Sequence, residues 1–494
     1  MPCSLRLGFL FLLGWMTANV LPLSAQQAAS EEPTNELLAE GALANPMTAK
    51  YFVLSDIVLR GNKVTKPHII FRELDIQIGD SLPAAKVDTI LFRNKNKIFN
   101  TNLFITVDLA LELNSRKEAT LLIQVKERWY TFPLPIFELA DRNINEWIQQ
   151  RGADIGRVNY GVRFIQRNFR GRNERLEVLI QQGFVRRYGI SYTVPYLTKS
   201  LKWGLELKAN FTENNSIAFN TLNHQLQFIN SDKLMRTRWQ YALALTYRPK
   251  FYSFHKWELK NIQTSIADTV AEANPRYFLN GKRSQNYFSF KYEFRRDLRD
   301  VIAYPLRGNF LKLEVQKDGL GLFQDTDQVN MLHLGGIYAI YRELTPKGGW
   351  FMDATLNTRL SFMDQQPYAN AQGLGYNEEF LRGFELYVID GQSYALSQNT
   401  VKKRLFDIVT RAKFIPLEQF RTIPLAVYLN LFFDAGYVND RFFTDVSNRF
   451  SNRLIYGFGL GLDVFTYYNS VFRFSYAFNS AWERGFFVSF KGDF

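Results

Sequence analysis

The side chains best suited to covalent or acid–base chemistry are few in this sequence, and their spacing does not serve it. The four histidines are His68, His224, His255 and His333, and neither a Gly-x-Ser-x-Gly nor a His-Glu-x-x-His motif occurs. The only cysteine is Cys3. Hydrolysis, thiol chemistry and metal or cofactor binding therefore have no support in the residue spacing, and the chain is expected not to be an enzyme, with no metal site and no cofactor. What stands out instead is charge in an apolar setting. In Phe380-Leu381-Arg382-Gly383-Phe384 a guanidinium sits between large apolar side chains beside a glycine. A loop tip in water needs neither Leu381 nor Phe384, so this tip is expected to pack inside something.

A partner for Arg382 follows from alternation. Along Leu425 to Tyr437, Leu425, Val427, Leu429, Leu431, Phe433 and Ala435 share one face, which leaves Ala426, Tyr428, Asn430, Phe432, Asp434 and Gly436 on the other. In the next run, Leu454 to Phe465, Gly457, Gly459 and Gly461 fall on the same face as each other, a shallow groove where another backbone can approach. The segment 364–403 is far longer than a hairpin requires. Folded inward, it brings Arg382 to Asp434 and fills the groove. Such a charge-assisted pair contributes about 1.5–3 kcal/mol.

The elements that position this pair follow from the rest of the chain. Residues 1–25 read as a secretory signal peptide, with Arg6 before an apolar stretch from Leu7 to Met16 and small residues at Ser24 and Ala25. Residues 26–50 read as a linker with one short helix at Asn35 to Ala44. No later stretch has the roughly 20 continuous apolar residues of a spanning helix. The formal charge of +13 is spread through alternating segments without a basic helix, which argues against nucleic acid. Aromatics at 16% and a mean hydropathy of −0.21 suit strands with one face to lipid and one to water.

Residues 51–127 change character. An alternating run ends at Gly61-Asn62, helices are expected from Thr65-Pro67 and from Asp80-Ser81 with Pro83 in the first turn, and strands from Phe104 to Leu113 and Ala119 to Glu127 flank the turn Asn114-Ser115-Arg116-Lys117. The order β-α-α-β-β is a small α+β module. After a connecting segment, 128–155, segments of alternating polarity fill 156–494 as a membrane β-barrel of about sixteen antiparallel strands, with runs near 157–167 and 485–494 first and last, and runs at 219–230 and 254–264 among the others. Tyr287 to Arg295 shows the pattern: Phe288, Phe290, Tyr292 and Phe294 oppose Ser289, Lys291, Glu293 and Arg295. If the first and last strands pair weakly, the seam between them is a lateral gate, with Gly161 and Gly485 either weakening packing there or serving ordinary barrel curvature, and Phe494 ending the last strand.

Taken in order along the chain, Asn168-Phe169-Arg170-Gly171, Val194-Pro195-Tyr196, Tyr304-Pro305-Leu306-Arg307-Gly308, Leu381-Arg382-Gly383-Phe384, Phe432-Phe433-Asp434-Ala435-Gly436 and the terminal Phe494 resemble motifs of the outer-membrane assembly factors of the BamA and TamA type, the bacterial surface antigen family. Gly61-Asn62, Asn102-Leu103-Phe104 and Val125-Lys126-Glu127 resemble the marks of a single POTRA domain. The resemblance implies a Gram-negative outer-membrane protein with its POTRA domain in the periplasm. It further implies that Arg382 and the Asp434 strand hold the fold in a working state, and that the POTRA domain receives unfolded outer-membrane clients by strand addition. Lipid and accessory lipoproteins complete the implied partners. The sequence departs from the family pattern at Asn173, where a glycine is common, and in having one POTRA domain. The alternative within the same architecture is a secretion translocator that passes an exported partner through the lumen.

Overall fold

The computed structural model of the protein describes residues 51–491 apart from 114–117, 142–143, 199, 251, 323–328, 346–347, 377–378, 412–421, 443–447 and 467–469. The expected signal peptide, linker and helix at Asn35 to Ala44, the turn at 114–117 and Phe494 lie outside the described residues.

The N-terminal part is a four-stranded sheet with helices and fits a POTRA-like domain. Tyr51–Arg60 runs parallel to Glu118–Glu127, which pairs antiparallel with Phe104–Leu113 at one edge, and the three residues Ser81–Pro83 form the other edge. That edge strand corrects the expectation of a helix beginning at Asp80 and Ser81. Pro83, held near φ −63, ends an extended segment, and the helix proper is Val87–Phe99. The other helix is Pro67–Phe71. Leu54, Ile69, Ile98, Phe104 and Leu121 are buried together between sheet and helices.

The rest of the chain is built on one sixteen-stranded antiparallel sheet, from Thr131–Leu139 to Arg484–Lys491. Sixteen strands are as expected, but the membership differs. Thr131–Leu139, within the supposed connecting segment, is the first barrel strand, so the barrel begins ahead of residue 156. The run at 219–230 leaves the barrel and forms a separate hairpin, Ser216–Leu222 with Gln225–Asn230. The run near 254–264 is a full strand, Ser253–Ile266. Among the described residues no helix is long and apolar enough to cross a membrane.

Alternation along each strand separates a lipid face from an inner face. Trp239, Tyr241, Leu243 and Leu245 are exposed outward on Arg236–Lys250. Trp203 stacks on Tyr247 and Trp257 at one level, and Phe211 on Trp239 at another. Trp239 and Tyr247 are separated by roughly 26 Å of strand at about 3.3 Å per residue, which brackets the apolar band of an outer-membrane barrel between two aromatic girdles.

The two folded parts meet through hydrogen bonds. Asn168 Nδ2 donates to Thr65 Oγ1 at 2.8 Å and Lys66 N to Gly171 O at 2.8 Å. Glu73, buried, accepts from Arg72 Nη1 at 2.7 Å and from Arg248 Nη1 at 3.3 Å. Asn168, Gly171, Leu201 and Arg248 thus mark the barrel end nearer the N-terminal domain.

Candidate functional site

The connection between Trp350–Phe362 and Ser393–Arg411 is residues 363–392, shorter than the expected 364–403 because the second strand starts at Ser393. It enters the barrel. Leu381 and Phe384 are buried, and Arg382 reaches Asp434, which is fully buried on the inner face of Thr422–Asn439. The pair is bidentate, with Nη2 to Oδ1 at 2.5 Å and Nε to Oδ2 at 2.7 Å. Arg382 Nη2 also donates to Asn399 O at 3.3 Å and Thr400 Oγ1 at 3.2 Å, and its guanidinium lies 4.1 Å from the centre of the Phe432 ring. Exposure on this strand alternates as the sequence pattern requires: Leu429, Leu431 and Phe433 outward, and Asn430, Phe432 and Asp434 inward.

The glycines divide the work. At Gly457 a Cβ would collide with the Arg382 carbonyl oxygen and press on Leu381, so this glycine admits the loop backbone. Gly436 lies under the Leu381 and Leu374 side chains. Gly459 and Gly461, expected to border the same groove, instead make room for the Phe432 ring and the Asn430 side chain of the neighbouring strand. The contribution of Gly459 is indirect: the Phe432 ring that it admits carries the guanidinium. Gly383, at φ +94, turns the tip so that its carbonyl accepts from Asn479 Nδ2 at 3.2 Å.

The hairpin Ser216–Leu222 and Gln225–Asn230 fixes the loop from across the barrel. At its tip His224 sits buried, Val388 N donates to His224 O at 2.9 Å, and Phe450 N donates to Nε2 at 3.0 Å. Nε2 is therefore the lone-pair nitrogen and Nδ1 carries the proton, 3.2 Å from Val388 O. Burial holds the imidazole down to about 4, so it is neutral at ordinary pH. Burial likewise pushes the Glu385 carboxyl up to about 7, although it accepts from Gly383 N at 2.7 Å, and the Asp390 carboxyl up to about 6. Gln150, after the helix Ile144–Gln149, donates to Leu386 O at 3.1 Å.

A second insertion comes from the end nearer the N-terminal domain. Tyr304, in the connection 298–307, donates to Asp463 Oδ2 at 2.8 Å and packs with Phe351, Ala426 and Tyr428. Lys402 Nζ lies 4.5 Å from the centre of its ring and 2.6 Å from Asp353 Oδ1. Loop 363–392 and Tyr304 thus occupy the interior from opposite ends. Neither Tyr304 as a plug nor His224 as an anchor follows from the sequence alone. The Tyr-Pro-Leu-Arg-Gly run was legible as a motif, but which strands it reaches was not.

At the seam, Gly161 lies on Val158–Phe169, the second strand, which corrects its expected place in the first. A Cβ there would collide with Ile180 O of the third strand, so it serves close backbone packing away from the seam. Gly485 is on the last strand, covered by the Phe487 ring.

A sequence model described as the Omp85 superfamily domain matches residues 168–486. No curated protein matches the chain in sequence. Among solved structures, BamA from Haemophilus ducreyi lacking POTRA domains 1–3 is similar with a TM-score of 0.53 at 14% identity, over 89% of this chain and 84% of that one. CdiB from Acinetobacter baumannii has a TM-score of 0.49 at 13% identity, over 89% of this chain and 73% of its own. CdiB from Escherichia coli has 0.49 at 10% identity, over 91% and 92%. At such identity the BamA likeness is one of fold.

Proposed function

The chain belongs to the Omp85 superfamily, and on that premise we propose that it inserts and assembles β-barrel proteins into the bacterial outer membrane. The N-terminal domain, in the periplasm, receives client strands, and the seam between the first and last barrel strands is the lateral gate. One observation carries this reading over transport through the lumen: the interior is occupied from both ends by the chain's own connections, while among the described residues Thr131–Leu139 and Arg484–Lys491 are the two end strands of the sheet. An unfolded client in lipid faces the cost of unpaired backbone groups, several kcal/mol each. A seam that opens offers those groups partners, a role that needs no nucleotide, metal or catalytic side chain.

The test is reconstitution. Liposomes carrying the protein should fold a urea-unfolded outer-membrane barrel client faster than empty liposomes, and a disulfide engineered between the first and last strands should stop this until reduced. Continued insertion with the seam locked would remove the gate. A constitutively large conductance without client insertion would favour the translocator.

A further inference from the structure

Two strands of the sheet, Ser393–Arg411 and Thr422–Asn439, outrun their neighbours at the barrel end nearer the N-terminal domain. Their register with the flanking strands stops at Trp350↔Lys403 on one side and at Ala426↔Phe465 on the other. Beyond those pairs, among the described residues, 405–411 and 422–425 are in register only with the other strand of this hairpin, as a two-stranded ribbon. Within the barrel the outward row of the second strand is apolar, with Leu429, Leu431 and Phe433 toward lipid and Tyr437 above them. Tyr437 and Leu429 are separated by roughly 26 Å of strand at about 3.3 Å per residue, the span that also separates the two aromatic girdles. Leu429 lies opposite Lys403, whose Nζ is 5.2 Å from the centre of the Trp350 ring, and tryptophan with lysine is the signature of a membrane–water interface. The outward row nevertheless continues through Val427 and Leu425 to Ile423, about 20 Å further along the strand.

Simple alternation from Val401 and Lys403 would place Asp407 and Arg411 on this outward face. A bulge prevents it. The register passes from Arg404↔Tyr428 directly to Phe406↔Val427, which leaves Leu405 as the extra residue. Phe406 and Ile408 therefore share the outer face with Val427 and Leu425, while Asp407 and Arg411 turn to the inner face with Ala426 and Thr422. Arg404, also inward, meets Asp407 at 3.5 Å. Phe406 is 44% exposed and Ile408 48%, as open as Leu429 at 46% inside the lipid band. The ribbon thus carries the lipid face past the interface without a break.

We propose that this ribbon is an interfacial anchor: it turns at Leu405 and lays Phe406, Ile408, Leu425 and Ile423 on the periplasmic phospholipid leaflet, with Asp407 and Arg411 toward water. Two physical reasons select lipid as the occupant. The apolar row is continuous with the row that already meets acyl chains, and a bulge bends a strand and increases its twist, so that a ribbon leaving the barrel can swing its outer face onto the bilayer. Depth follows from the backbone. Both edges of the ribbon carry N–H and C=O groups without a flanking strand, which the hydrocarbon core does not tolerate. The headgroup layer supplies water and polar partners for them, so the apolar face reaches only the first acyl carbons, as an interfacial amphipathic element does. The N-terminal domain meets the barrel between the second and sixth strands, at Asn168 and Arg248, and the ribbon joins the twelfth and thirteenth. The anchor therefore holds a separate part of the periplasmic rim to the membrane, whatever passes through or beside the barrel.

The test uses the full-length protein carrying Cys3→Ser, in phosphatidylethanolamine–phosphatidylglycerol liposomes, with a single fluorophore-labelled cysteine from Ile408→Cys, Val409→Cys or Leu429→Cys. A nitroxide at the fifth acyl carbon of the phospholipid should quench the label at 408 at least threefold more than the label at 409 and at least half as well as the label at 429. Aqueous iodide should quench 409 more than 408. Equal lipid quenching at 408 and 409 overturns the proposal, because the bulge would then select no face. Iodide quenching at 408 without lipid quenching also overturns it and makes the ribbon a docking face for a water-soluble partner. Phe406→Asp with Ile408→Asp should lower lipid quenching of a label at Leu425→Cys at least threefold while the barrel keeps its heat-resistant mobility on gels. Unchanged quenching there overturns the proposal, and the labels at 408 and 409 decide it if the doubly charged variant fails to fold. None of these readouts depends on client insertion, so failure of the assembly reading leaves them intact.

Discussion

Arg382 and Asp434 show how much a single inward-facing charge can demand. Asp434 has no exposure, so removing its partner leaves a buried carboxylate unmatched, at a cost of about 3–5 kcal/mol. Arg382→Ala is expected to release loop 363–392 to protease, with Asp434→Asn in the same chain restoring part of the protection; no rescue would mean that the loop is held by its apolar contacts. Arg359→Ala is expected to be milder but not silent, since Arg359 Nε donates to Gln392 O at 3.3 Å and Nη2 to Gln372 O, holding the last residue of the loop and a point in its first half without leaving a carboxylate unpaired. Glu385 gives a pH dependence. Its carboxyl titrates near 7 in the docked loop against an ordinary 4.5, so its contribution to docking is complete below about 4.5 and is lost as pH rises through 7. Glu385→Gln, which keeps an acceptor for Gly383 N, should match the parent near pH 4.5 and protect the loop better at pH 8. Equal protease profiles at both pH values would refute this.

The hairpin Ser216–Leu222 and Gln225–Asn230 is an element whose role depends on where it lands. Its residues alternate as barrel strands do, and so it reads as one in the sequence. Packing of Ile217 with Met235, Ile266, Val270 and Phe278 draws it off the sheet and over the end of the barrel instead. His224→Ala removes the acceptor for Phe450 N and the bond to Val388 O while the hairpin ladder stays intact. Single-channel recordings of this variant in planar bilayers should show larger or more frequent conductance steps than the parent, and an unchanged trace would relieve the hairpin of any sealing role. The first strand shows the opposite error. Pro133 and Pro135 make Thr131–Leu139 look like a connection, because a proline inside a ladder loses a bond. Only its place at a sheet edge, with both prolines turned to the seam, lets it be a strand.

Across the whole chain, the N-terminal domain is tied to the barrel through Glu73, which accepts from Arg72 and Arg248 and sits near Tyr196. Glu73→Gln should loosen that docking by weakening a buried ion cluster that joins the two parts. Spin-label distances between the domain and the barrel are expected to broaden while the barrel keeps its heat-resistant mobility on gels; an unchanged distribution would place the joint at Thr65 and Asn168 instead. The sequence by itself determined the class of the protein, because lipid and water impose a period of two on every spanning strand, and that period is local. It also determined which face carries Asp434 and that Arg382 belongs in an apolar setting. The tertiary structure alone decided which strand opens the sheet, which glycine meets the loop, and that His224 and Tyr304 reach in from opposite ends. Those are pairings between residues far apart in the chain, and side-chain alternation gives a residue's face without naming the strand or loop opposite it.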